Sequence, residues 1–81
     1  MSKQILVVAI TYCAFAKEHV CYCSQDEEER IWAEGAVHEL CNTAYIKSTE
    51  MVHVDEEEFQ SKHYKKLQAF NNYVNTYENG I

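Results

Sequence analysis

The sequence predicts an α+β domain of order ββαβα, in which a three-stranded antiparallel sheet carries two helices packed on one face. Three observations predict it. Residues 5–15 form an apolar, β-branched run; a capping signal precedes each of two later apolar stripes; and the 81 residues contain no proline and only two glycines, Gly35 and Gly80, which leaves little material for irregular chain. One domain, residues 1–81, accounts for the whole chain, with no internal repeat, linker or low-complexity segment.

The first strand is read from Ile-Leu-Val-Val-Ala-Ile-Thr-Tyr-Cys-Ala-Phe at residues 5–15. A strand sends alternate side chains to opposite faces, so Ile5, Val7, Ala9, Thr11, Cys13 and Phe15 point one way and Leu6, Val8, Ile10, Tyr12 and Ala14 the other. Neither set is polar, so both faces need cover. Lys3, this run and the Ala14-Phe15-Ala16 triplet imitate a secretory signal, but Thr11 and Tyr12 interrupt it and cleavage would leave three of the four cysteines. The run is also shorter than the roughly 20 residues a membrane span needs. A cytoplasmic protein is expected.

Val20-Cys21-Tyr22-Cys23 reads as a second strand, paired antiparallel to the first across a polar connection at residues 16–19. Ser24 with Glu27 makes a capping box that starts a first helix. Ile31, Trp32, Ala36, Val37, Leu40 and Cys41 then form its apolar stripe, and the helix is expected to end near Asn42. Thr43, Tyr45, Ile46, Thr49, Val52 and Val54 supply strand formers without helical period, giving a third strand over residues 44–54. Asp55 and Glu58 repeat the capping box, with Val54 and Phe59 as a hydrophobic staple. Phe59, His63, Leu67, Phe70, Val74 and Tyr77 continue at steps of four and three, predicting a second helix that runs to a stop at Gly80.

Two helices on one face leave the other face of the first strand to a partner. Leu6, Val8, Ile10 and Tyr12, or the alternate set, are expected to close a homodimer. Tyr64, Tyr73 and Tyr77 extend aromatic surface beyond one narrow stripe of the last helix and join the expected interface, because tyrosine contributes large contact area and a hydroxyl at low entropic cost.

Thirteen acidic against seven basic side chains give a net charge of −6, which repels phosphates and argues against direct nucleic-acid binding. Two acidic runs, Asp26, Glu27, Glu28 and Glu29, then Asp55, Glu56, Glu57 and Glu58, occupy the first turns of the predicted helices, where the helix dipole favours them. Placed side by side, they would form an acidic patch. Lys62, Lys65 and Lys66 read as a solvated helix face.

The chemistry-bearing residues are sparse. Cys13, Cys21, Cys23 and His19 are placed on one side of the hairpin as candidate zinc ligands, although Cys21 and Cys23 lie about 7 Å apart on an extended strand rather than in a Cys-x-x-Cys knuckle. Packed thiols are the plainer reading. Glu34, His38 and Cys41 fall one helical turn apart, as any amphipathic helix allows, and Cys41 lies on the apolar stripe. No nucleophile, base and orienter stand in a specific pattern, so no enzyme activity and no cofactor are expected.

In its size, acidity and compact α+β layout the chain resembles the small phage-encoded proteins that disable host defence or host enzymes, anti-CRISPR proteins among them. That resemblance implies a protein target and steric or charge-based occlusion of a host protein's working surface. It carries over no functional residue. The alternative class is a small-ligand or zinc-binding domain.

Overall fold

The structure, a computed structural model, describes residues 3–67. Its elements are β1 (Gln4–Ala14), β2 (Lys17–Cys23), α1 (Glu27–His38), β3 (Tyr45–Asp55) and α2 (Glu56–Ser61), followed by a helical turn at residues 64–67. The fold is α+β, with a three-stranded antiparallel sheet of order β2-β1-β3. The strand that is apolar on both faces takes the centre, where both faces are covered. Among the described residues, no helix is long and apolar enough to cross a membrane.

The β1–β2 connection is tighter than the sequence suggests. Ala14 pairs with Lys17, so only Phe15 and Ala16 form the turn, and both have positive φ, at 55° and 62°. Two left-handed residues match the twist of a hairpin, and the shortened turn lengthens β2 by three residues over the expected start at Val20. On the other side of β1, the β3 ladder is interrupted between Thr11 and Tyr12, where Lys47 is the extra residue.

The two faces of β1 bury separate clusters. Val8, Ile10, Tyr12 and Ala14 on the even face pack with Cys21 and Cys23 of β2, Ala33 and Val37 of α1, and Tyr64. Val7 and Ala9 on the odd face pack with Tyr22 and Val54, with Phe59 of α2 against their rim. The face expected to await a partner is thus filled from within the chain.

Helix α1 begins two residues later than the sequence suggests. Asp26 is the N-cap and accepts from the Glu29 N–H at 3.3 Å, while the Glu29 carboxylate accepts from the Ser24 N–H at 2.6 Å. Ser24 remains part of the cap, its hydroxyl accepting from the Asp26 N–H. The helix ends at His38, short of Asn42, and buries Ala33, Ala36 and Val37. Ile31 and Trp32, expected in its apolar stripe, are 59% and 54% exposed. Small residues let the helix approach the sheet closely, and that contact sets the helix rotation.

Helix α2 starts where expected, but Asp55 makes no side-chain cap bond; the first helical N–H, of Glu56, instead donates to the Lys3 carbonyl at 2.8 Å. Val54 and Phe59 share the odd-face cluster, as a staple requires. The long second helix is broken at Lys62 and His63. The Lys62 carbonyl accepts from the Tyr22 N–H at 2.9 Å, and His63 forms a parallel bridge to Tyr22 on the outer edge of β2. The chain leaves its helix to complete that edge, then places Tyr64 on the opposite face from Phe59.

Candidate functional site

The expected interface residues fall mainly inside the protein. Val8, Ile10, Tyr12 and Tyr64 are buried beneath or beside α1, and of the strand set only Leu6 is exposed. This corrects the surface expected from strand alternation: the chain's own helix and helical turn occupy the even face. Tyr73 and Tyr77 lie outside the described residues, as does the predicted stop at Gly80.

The candidate zinc ligands are divided by register. Cys21 faces Ile10 and Cys23 faces Val8 on the even face, whereas Cys13 faces Glu18 on the odd face. His19 stacks on Tyr12 with ring centroids 5.4 Å apart and its Nε2 lies 3.2 Å from the Ala14 carbonyl. Burial, reinforced by the neighbouring Cys23, pushes the Cys21 thiol up to about 12; burial and Glu29 push Cys23 up to about 11. Both are packed thiols. No three His, Cys, Asp or Glu side chains converge as metal ligands among the described residues.

Glu34, His38 and Cys41 do not assemble either. Glu34 pairs with Arg30 at 3.3 Å, and the Cys41 sulfur lies 3.5 Å from the Thr43 hydroxyl. That hydroxyl and the backbone N–H groups of Phe15, Thr43 and Ala44 hold the Cys41 thiol below its ordinary range. An apolar groove of about 230 Å³ is lined by Tyr12, Ala14, Phe15, His19, Leu40 and Leu67.

The acidic runs divide their labour. Asp26, Glu27 and Glu28 are exposed at the start of α1, and Asp55, Glu56, Glu57 and Glu58 start α2. One carboxylate from each run contacts the crossing, Glu29 mostly buried and Glu58 exposed. Glu58 accepts from the Tyr22 hydroxyl at 3.0 Å and lies 3.8 Å from the Lys62 ammonium. Glu29 lies 3.2 Å from His63 Nε2, whose ring sits 4.8 Å from both Phe59 and Tyr64. These contacts clamp the crossing at residues 62–63.

Burial pushes the Glu29 carboxyl up, but hydrogen bonds from Ser24 and His63 outweigh it and hold the group below the usual carboxylate range. A depressed carboxylate contributes stability that is present above its unfolded value and is lost as pH falls through the folded one. Glu29→Gln is therefore expected to flatten the acid limb of stability, measured by urea unfolding between about pH 7 and pH 3. An acid limb identical to the wild type's would show that the clamp contributes nothing.

The residues the sequence misplaced form the most distinctive surface. Ile31 and Trp32 stand on the outside of α1, and Gly35, one turn after Ile31, faces open space. Glu27, Glu28 and Glu39 are exposed on the same helix and its cap. Exposed apolar side chains on a helix whose exposed charges are mostly glutamates, with Arg30 paired to Glu34, suit a partner with a hydrophobic socket and basic surroundings. The signal was present in the sequence: Ala33, Ala36, Val37 and Leu40 form a second helical stripe, offset from Ile31 and Trp32.

No family model, curated protein or solved structure matches the chain. The functional reading therefore rests on the surface itself.

Proposed function

We propose that this protein is a small acidic protein-interaction module that inhibits or modulates a host protein, in the manner of phage anti-defence and anti-CRISPR proteins. It works in the cytoplasm as a homodimer and acts by steric or charge-based occlusion of its target, not by catalysis. The observation that carries this reading is the exposed Ile31–Trp32 pair on a helix whose exposed charges are mostly glutamates. Tryptophan is among the residues most enriched at the energetic centres of interfaces, and acidic side chains steer a basic target.

Affinity capture from host lysate, with identification by mass spectrometry, tests it. The wild type is expected to retain a target whose binding weakens as salt rises, and Trp32→Ala is expected to lose at least about tenfold in affinity with the fold unchanged. Because Trp32 is half exposed, circular dichroism and the unfolding midpoint should match the wild type. Failure to retain any target, or equal retention by Trp32→Ala, would remove the basis for this reading.

A further inference from the structure

Phe59 of α2 packs against the odd-face cluster of Val7 and Ala9, whereas the hairpin end of the same face holds a cleft of about 440 Å³ whose lining includes Cys13, Glu18, Thr43 and Tyr45. The register explains the grouping. Glu18 and Tyr45 are the cross-strand partners of Cys13 on β2 and β3, so the three side chains stand in one row on one face. Lys47, the bulge residue, joins them. Its ammonium reaches Glu18 at 2.7 Å, and because β1 lies between β2 and β3, that ion pair crosses the odd face of β1 beside Cys13. Glu18, with a smaller contribution from Cys13, pushes the Lys47 ammonium up, and a hydrogen bond to Cys13 pushes the Tyr45 phenol up. A half-buried thiol thus shares one cleft with a cation, a phenol and a carboxylate.

From this cluster we infer that the cleft is a modification site, at which Cys13 forms a mixed disulfide with a low-molecular-weight disulfide. The inference goes beyond the occlusion reading and needs no target protein. The cleft falls within the range of roughly 300–1,000 Å³ typical of small-molecule sites, so it has room for the adduct. The Cys13 sulfur attacks one sulfur of the incoming disulfide, and a new S–S bond forms as the old one breaks. The leaving sulfur departs as a thiolate and takes up the proton that Cys13 gave up, so one small thiol is released for each adduct. Negative charge spreads over three sulfurs during the exchange, and the Lys47 ammonium stands where it offsets that charge, with Tyr45 holding the attacking sulfur in the row. The other thiols are less suited. Cys21 and Cys23 are buried, and burial pushes them up to about 12 and about 11. The Cys41 sulfur is already engaged by the Thr43 hydroxyl and by backbone N–H groups, and hydrogen bonds that stabilise a sulfur's charge blunt its attack.

Timed reaction of the reduced full chain with oxidised glutathione, followed by peptide mapping of each cysteine, tests the site. One adduct per chain is expected, at Cys13, forming at least about fivefold faster than at Cys41. Lys47→Met keeps the side-chain length and removes the charge. It is expected to slow the Cys13 adduct at least about fivefold and to leave the Cys41 rate unchanged, which also reports that the fold is intact. In urea the preference for Cys13 should vanish, because the cleft no longer exists. Modification first at Cys41, equal rates at the two thiols, or no adduct at all would overturn the inference. A Cys13 rate untouched by Lys47→Met, or a preference that persists in urea, would equally overturn it by showing a merely accessible thiol. None of these measurements depends on a target, so they separate from the capture experiment.

Discussion

Tyr64→Ala is expected to lower the free energy of unfolding by about 3–5 kcal/mol, the range for truncating a buried large aromatic side chain. Tyr64 is 1% exposed and packs in the even-face cluster with Ile10, Cys23 and Val37. Domains of this size commonly have only about 5–15 kcal/mol to lose. The variant should therefore show a large fall in urea midpoint, and at body temperature a measurable unfolded fraction. Tyr64→Phe retains the ring and is expected to lose less than about 1.5 kcal/mol. Equal losses in the two variants would assign the effect to the hydroxyl and contradict packing as its source.

The opposite sign is expected at the hairpin turn. Phe15 and Ala16 both hold left-handed backbone, at φ 55° and 62°, where each non-glycine residue costs about 1–2 kcal/mol. Asn-Gly is the pair best suited to that geometry. Phe15→Asn with Ala16→Gly is expected to raise stability by about 1–2 kcal/mol, less than the summed strain because Phe15 also lines the apolar groove beside Leu40 and Leu67. Each kcal/mol should raise Tm by about 4–8 °C in calorimetry. Ala16→Gly alone removes strain without touching that groove, so a destabilised single variant would refute the strain assignment.

The three-stranded antiparallel sheet was legible in the apolar run of β1 and the strand formers after it; its order, with β1 at the centre where a strand apolar on both faces belongs, was not among the expectations. The pairing register of β1 was not legible either, since two apolar faces make neighbouring registers equivalent from sequence alone. That ambiguity put Cys13 on the same side as Cys21 and Cys23, which the structure separates. The first helix was legible as amphipathic, but two apolar stripes competed. The stripe containing Ala33 and Ala36 prevailed because it allows close packing, which turned Ile31 and Trp32 outward. The break at Lys62 and His63 was invisible locally: the spacing of Phe59, His63 and Leu67 favours one helix, and only the unsatisfied N–H of Tyr22 on the β2 edge draws the Lys62 carbonyl away.

The crossing at residues 62–63 also closes one direction of sheet growth. A sheet with two open edges can add strands without end, whereas one with a single open edge has one place to add a neighbour and then is full. Lys62 and His63 take the β2 edge, so that among the described residues a further strand finds open backbone groups along β3 and not along β2 at Tyr22. An edge already paired offers no template for a fibre on that side.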